Sequence, residues 1–349
     1  MGKRLLFLTV LVLSVLRMTA DDGVRMETVE IAANETQEVS IYLDDENGIY
    51  CLVQFNLYLP QGMELAKDES SAVAYTTPFS NRSFVGVQEK TDSQGLTYYE
   101  FYLEDRSMLP FGTGEVEIFT VSVKAGDMIE TGEQIAAFRD VVLVDEMAGG
   151  PDIEEIPYQM TSRIDLDVSS LGYASFSWPR TLDFTNSGAQ AFIGWPTENE
   201  TLHLEEVSIV PANTGVIVKA SQGTYNPQTT DDDADDVTRN KLSSTASGPY
   251  TIDQDWVYVL SNLKDGIPGM YPAVLGVNVA QYRAYLAAGE QLAAALPFTE
   301  DDMITGIEDV EKDTSGFSTD NRAYNLSGQR VGDNYKGIVI VDGKKIVRK

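Results

Sequence analysis

The chain has 349 residues, one Cys, one His and a formal charge of −29, with a sequence pI near 4.2. One Cys excludes an intramolecular disulfide and a cysteine-based zinc site, and one His excludes a metal held by a His pair. So acidic a chain does not bind nucleic acid by electrostatic attraction, while a hydrophobic fraction of 43% is that of a folded protein.

Residues 1–20, MGKRLLFLTVLVLSVLRMTA, place Lys3 and Arg4 before the apolar run Leu5 to Leu16 and end on the small pair Thr19-Ala20. That is the pattern of a secretory signal peptide, and the run falls short of the roughly 20 apolar residues of a membrane span. No later segment reaches that length. The expected mature chain is therefore exported to the periplasm, the outer surface or beyond, with no membrane span.

From residue 21 the chain alternates. Val39, Ile41 and Leu43 stand at every second position, as do Cys51, Val53, Phe55, Leu57 and Leu59, and then Tyr99, Phe101 and Leu103. Period two is the signature of a half-buried strand. Asp45-Glu-Asn-Gly48 and Pro60-Gln-Gly62 punctuate these runs as turns. Val116 to Val123 and Val141 to Val144 add strands, residues 146–160 (EMAGGPDIEEIPYQM) read as a long acidic hairpin loop, and a strand near Thr161 to Val168 closes a domain over 21–167. No amphipathic helix of three turns interrupts it, so short strands between turns predict a β-sandwich.

The same texture continues over 168–298. Strands are expected at Tyr173 to Trp178, Ala189 to Ile193, Leu202 to Val210, Gly215 to Lys219, Trp256 to Ser261 and Gln281 to Leu286, with the acidic run Asp231 to Asp236 as a loop and Ala287 to Leu296 as one short helical turn. Residues 299–322 are polar and acidic, the composition of a flexible linker. In the tail, 323–349, Ile338, Ile340 and Ile346 lie around Asp342-Gly343, a strong hairpin signal. Charge divides along the same lines: residues 21–320 hold fifteen basic and fifty-two acidic groups, net −37, and residues 321–349 hold seven basic and two acidic, net +5. The expected fold is all-β: two β-sandwich, jelly-roll-like domains and a C-terminal β-hairpin tail.

Three stretches resemble known families. Gly172-Tyr-Ala-Ser-Phe176, Thr181-Leu-Asp-Phe184, Ala191-Phe-Ile193, Val210-Pro-Ala-Asn-Thr-Gly-Val216, Tyr258-Val-Leu-Ser-Asn262 and Arg283-Ala-Tyr-Leu286 are similar to a β-rich module of secreted Bacteroidetes proteins, which usually has Lys where Arg283 stands. Tyr324-Asn-Leu-Ser-Gly-Gln-Arg-Val331, Lys336-Gly-Ile-Val-Ile340 and Asp342-Gly-Lys-Lys345 look like the C-terminal sorting tail of the same phylum. That likeness implies a role in export and surface attachment for Gly328, Gln329, Arg330, Lys336, Gly337, Gly343, Lys344 and Lys345. Gln37-Glu-Val-Ser-Ile-Tyr-Leu43, Val53-Gln-Phe-Asn-Leu-Tyr-Leu-Pro60 and Gly112-Thr-Gly-Glu-Val-Glu-Ile118 make residues 24–167 resemble cohesins and related carbohydrate-binding modules. Cohesins bind a protein partner through one sheet face, so the resemblance implies cell adhesion or assembly.

Catalytic signals are sparse. His203, in Thr201-Leu-His-Leu-Glu205, faces away from Leu202 and Leu204, and no Gly-x-Ser-x-Gly elbow precedes it. Cys51 shares the Val53 and Phe55 face, where a thiol acts as a small core hydrophobe. Two carboxylates suffice for a glycosidase, but neither domain has the length for a deep cleft. The acidic run offers Asp231, Asp233 and Asp235 as Ca²⁺ ligands, against the reading that the run is a solvated loop. An EF-type loop wants Gly at its sixth position and Glu at its twelfth, where this chain has Asp236 and Leu242. Tyr98, Tyr102 and Trp195 are the candidate ligand-binding aromatics, since sugars and proteins both pack on exposed rings. Trp178 and Trp256 are assigned to the core.

The sequence thus points to a non-enzymatic, exported binding protein with no cofactor and a protein partner at the cell surface. Glycan recognition is the alternative, and a secreted hydrolase stands behind both. The mature chain is expected to begin at or near Asp21 with a formal charge of −32, which intact-mass spectrometry of the exported protein checks.

Overall fold

The computed structural model describes residues 22–262, 266–300, 323–325, 330–331, 337–341 and 344–348. The expected signal peptide and all but the first two residues of the expected linker lie outside them. The described residues form strands and turns with no helix, and among them no helix is long and apolar enough to cross a membrane.

The first module runs through eleven strands: β1 (Gly23–Met26), β2 (Val29–Ala32), β3 (Thr36–Asp45), β4 (Tyr50–Tyr58), β5 (Met63–Leu65), β6 (Tyr75–Thr76), β7 (Ser83–Thr91), β8 (Thr97–Asp105), β9 (Gly114–Ala125), β10 (Gly132–Asp145) and β11 (Asp152–Arg163). One sheet is ordered β1-β3-β9-β5, with β6 also on β9. The other has six strands, β2-β11-β10-β4-β8-β7, with β2 parallel to β11. The alternating residues expected to face inward do so. Val39, Ile41 and Leu43 of β3 meet Val53, Phe55 and Leu57 of β4 and Tyr99, Phe101 and Leu103 of β8 in one buried core.

At its centre four rings span the two sheets. Phe55 stacks on Phe101 at 4.7 Å and meets Phe138 edge-on at 5.4 Å, and Phe119 of the opposite sheet contacts Phe101 at 5.0 Å and Phe55 at 6.3 Å. Offset and edge-to-face pairs suit the ring quadrupole and add to the area buried.

Aspartates close the turns. Asp68, Asp92, Asp105 and Asp145 each accept the amides two and four residues ahead, through one carboxylate oxygen, at 2.8–3.1 Å. Asp45, fully buried, takes the amides of Gly48, Ile49 and Tyr50. An Asp side chain imitates a backbone turn in this way, so part of the negative charge is consumed in shaping the chain.

Four expectations are corrected. Residues 152–160 are not loop: they open β11, because Ile156, Tyr158 and Met160 alternate toward the core and Gly149, Gly150 and Pro151 confine the turn. The strand expected to close the first domain is two. Arg163 ends β11, and Leu166–Val168 pairs with Gly223–Tyr225 and buries Leu166 and Val168 in the second module. Ala287 to Leu296 forms no helical turn; Ala284–Ala287 and Leu296–Glu300 are strands joined by irregular chain. The alanine run is too short for later turns to offset the costly first turn of a helix. Trp256 is not core. It is 38% exposed at a φ of +66°.

The largest sheet of the second module has nine strands in the order Tyr173–Phe176, Val216–Lys219, Gln190–Pro196, Leu202–Val207, Leu296–Glu300, Gly269–Pro272, Val257–Ser261, Ala284–Ala287 and Leu242–Ser244. Its central strands are buried on both faces. Ala191, Ile193, Val216 and Val218 enter one core with Trp178, and Phe192 and Ile217 enter another with Tyr258 and Met270. A strand covered on both faces reads as a continuous apolar run, as Ala191-Phe-Ile193 does.

Side chains lock the two modules together. Thr131 and Thr229 exchange amide-to-hydroxyl bonds at 2.9 and 2.8 Å, and Tyr282, packed on Trp178 at 4.5 Å, donates its hydroxyl to Asp127 at 3.2 Å. The tail is described by itself. Ala323–Asn325, Arg330–Val331, Gly337–Val341 and Lys344–Arg348 form a four-stranded sheet, and the expected hairpin sets Val341 opposite Lys344. Arg330, Gly337, Lys344 and Lys345 stand on these strands, while Gly328, Gln329, Lys336 and Gly343 lie outside the described residues.

Removing the central ring tests the clamp. Phe55→Ala should destabilise the chain by about 3–5 kcal/mol, the usual cost of emptying a packed aromatic site, measured as a lowered midpoint of denaturant unfolding.

Candidate functional site

The outer face of the six-stranded sheet follows from the same alternation. If Val53, Phe55 and Leu57 point inward, Leu52, Gln54, Asn56 and Tyr58 point out, and on β8 so do Tyr98, Glu100, Tyr102 and Glu104. Register aligns them in rows. Gln54 lies between Val142 of β10 and Tyr102, which in turn faces Gly86 of β7; Leu52 lies between Val144 and Glu104, which faces Phe84. The face is half-exposed through its centre, and Phe84 at its margin is 57% exposed.

Its aromatic groups are held in place. Tyr58 lies between Tyr98 of β8, stacked on it at 5.2 Å, and Arg139 of β10, whose guanidinium is 4.6 Å from the ring centre. Arg139 is itself anchored to Glu155 at 2.8 Å, Asn56 donates to Asp140 at 2.8 Å, and Lys90 pairs with Glu100 at 2.5 Å. Tyr102 donates its hydroxyl to Glu104. Burial, reinforced by the Glu104 carboxylate, pushes the Tyr102 phenol up to about 12. The bulge between Arg139 and Val142 puts Asp140 at a φ of +50° and turns its carboxylate onto this face.

Tyr98 and Tyr102 thus share one face, and Trp195 stands in the other module. On Gln190–Pro196, Trp195 is half-buried, packed on His203 at 4.5 Å, with Arg239 over its ring at 4.0 Å and tied to Glu205 at 3.0 Å. Residues missed from the sequence are Tyr58, Arg139 and Phe84. Tyr58 had a legible signal, since it is the outward position after Asn56. Arg139 and Phe84 had none, because β10 was read only from Val141 and β7 was not read at all.

The three aspartates proposed for Ca²⁺ are not brought together. Asp231 reaches toward Arg180 at 3.9 Å, Asp235 accepts the amides of Ser208 and Ile209 at 2.6 and 3.0 Å, and Asp233 is exposed. Consecutive acids on irregular chain point apart, and one carboxylate oxygen of Asp235 is already taken by two backbone amides. Among the described residues no group of three His, Cys, Asp or Glu is placed to hold a metal.

Other chemical groups have structural surroundings. Cys51 is buried and donates to the Val144 carbonyl at 3.4 Å, and burial pushes its thiol pKa up. An open cleft of about 680 Å³ in the second module is lined by Asp167, Tyr173, Ser175, Leu260 and Arg283. Among the described residues Asp167 is the one carboxylate that lines it, and it accepts from Thr224 at 2.6 Å.

No family model and no curated protein matches the chain. Among solved structures it is similar to a non-cellulosomal cohesin from the archaeon Archaeoglobus fulgidus, at 10% identity and a TM-score of 0.31, covering 41% of this chain and 91% of that one. A cohesin module of a Clostridium perfringens family 33 glycoside hydrolase gives 11% identity and a TM-score of 0.31 over 41% of this chain and 97% of that one. A type II cohesin domain from the cellulosome of Acetivibrio cellulolyticus gives 14% identity and a TM-score of 0.28 over 40% and 93%. At such identity neither site nor partner transfers, and both are taken from this chain's own residues.

The carboxylate's share in Tyr102 is measurable. Glu104→Gln should lower the phenol from about 12 toward the ordinary Tyr value of about 10 without reaching it, because burial remains. The readout is a ¹³C-tyrosine NMR titration. A raised phenol also makes the folded state the weaker acid, so stability should fall as pH climbs from about 10 toward about 12.

Proposed function

We propose that the protein is an exported, non-enzymatic module of adhesion or assembly that holds a protein partner on the outer face of the six-stranded sheet. The observation that carries this reading is the ordered row of Tyr98, Tyr58 and Arg139 across that face, beside Tyr102 and the apolar Leu52, Val142 and Val144. Tyr and Arg are enriched among the residues that dominate the binding energy of protein interfaces, Tyr as a large rigid surface with a polar tip and Arg as a planar fork of donors. Here the rotamers are already fixed by ring stacking and ion pairs, so little further ordering is lost on binding.

A glycan is the less favoured ligand. Sugars need an open ring face, and the faces of Tyr58 are taken by Tyr98 and Arg139, one face of Trp195 by Arg239. Export follows in this reading from residues 1–20, and the basic tail 323–349 acts as a sorting segment at the cell surface.

Capture from surface fractions on immobilised residues 21–349 tests the reading. Wild type should retain a protein partner, and Tyr58→Ala with Tyr98→Ala should weaken retention about thirtyfold or more, since a hot-spot aromatic contributes about 2 kcal/mol or more. Retention that is unchanged in the double variant, or a signal on glycan arrays with none from proteins, would overturn it.

A further inference from the structure

β7 is a sheet edge of a different kind from the others in the first module. It is nine residues long, whereas the edges formed by β1, β2, β5 and β6 run four, four, three and two residues. Short edges are one way that proteins keep sheets from pairing with other chains; charges aimed outward are another. On β7 the charges are spent within the molecule: Lys90 on Glu100 at 2.5 Å and Glu89 on Lys67 at 2.8 Å.

The direction of its backbone groups follows from its neighbours. Arg106 donates to the Arg82 carbonyl and Asp92 to the Leu96 carbonyl, and the β7–β8 register is unbroken between them. Even-numbered residues of β7 therefore bond to β8, and Val85, Val87 and Glu89 turn their N–H and C=O groups to the open side. Among the described residues none of these backbone groups has a partner beyond the strand. At Gly86 a Cβ would meet nothing within 4 Å, so the outer face of the strand is unobstructed there.

We propose that β7 pairs antiparallel with β7 of a second copy of this chain, about a two-fold axis at Val87, to join the two six-stranded sheets into one. The sequence of the strand, SFVGVQEKT, fits itself in that register. Val87 faces Val87, and Val85 faces Glu89, which together bring all six open backbone groups of each copy into cross-strand hydrogen bonds. On the outer face Gly86 lies opposite Gln88, and the exposed Phe84 opposite Lys90. No like charges face each other directly, which an antiparallel pair requires. A shift of the axis to Val85 or Glu89 pairs fewer of the open groups. The inference stands apart from the Tyr58–Tyr98 reading, since the dimer uses the sheet edge and leaves the centre of the face open.

The test is sedimentation of residues 21–349 over a range of concentration and salt. Wild type should be a reversible dimer that tightens as salt rises, because the two bodies carry like charge that salt screens. Val87→Pro removes an outward N–H and none that bonds to β8, and it should raise Kd about tenfold or more with the circular dichroism unchanged. Under mild oxidation the double variant Gly86→Cys with Gln88→Cys should cross-link into covalent dimers, since facing outward positions lie within disulfide reach, while either single variant should not. A wild type that stays monomeric up to the millimolar range overturns the proposal, also if it captures a strand from another protein. So does a dimer that survives Val87→Pro, or a double variant that fails to cross-link. Partner retention on the Tyr58–Tyr98 face should be unchanged in Val87→Pro, so failure of one reading is told apart from failure of the other.

Discussion

Everything the first module offers to solvent depends on the rings that join its two sheets. Phe55, Phe101 and Phe138 on one sheet meet Phe119 on the other. Because side chains alternate along a strand, fixing Phe55 inward fixes Gln54 and Asn56 outward, and fixing Phe101 inward fixes Tyr102 and Glu100 outward. A slip of one residue would send Tyr58 and Tyr98 into the core and expose the phenylalanines. The aromatic clamp therefore sets the register, and the register assembles the outer face of the six-stranded sheet.

Charge plays a quieter part than its total suggests. Asp45, Asp68, Asp92, Asp105 and Asp145 hold turn amides, Asp235 caps a strand break, and Asp127 accepts the Tyr282 hydroxyl between modules. Each supplies a protein acceptor in place of water for a backbone or side-chain donor. The acidic loop at 231–236, the most conspicuous feature of the sequence, belongs to this class. A run of carboxylates is easily seen in a sequence, but convergence of their oxygens on one point is a property of the folded chain.

The aromatic outer face and the β7 edge lie on the same sheet and meet at Phe84, which is outward on the face and opposite Lys90 in the proposed pair. The face has ordered aromatics and paired charges; the edge has unpaired backbone. They suit different kinds of contact, side-chain packing in one case and strand addition in the other. The second module contributes a platform: the Thr131–Thr229 and Tyr282–Asp127 bonds hold it against the turns at one side of the first sandwich.

The sequence by itself determined that the chain is all-β, that Val53, Phe55, Tyr99 and Phe101 face inward, that Cys51 is a core residue, and that Tyr98 and Tyr102 share an outer face. All of these follow from period-two alternation, which is local. It also led to the reading of residues 152–160 as loop, since Gly-Gly-Pro and the following acids outweighed the alternation of Ile156, Tyr158 and Met160. Only the tertiary structure placed Tyr58 between Tyr98 and Arg139, scattered Asp231, Asp233 and Asp235, laid Arg239 over Trp195 and left β7 at an edge. Each of these depends on which strand lies beside which, and strand order is set by contacts between residues far apart in the chain, which no local pattern encodes.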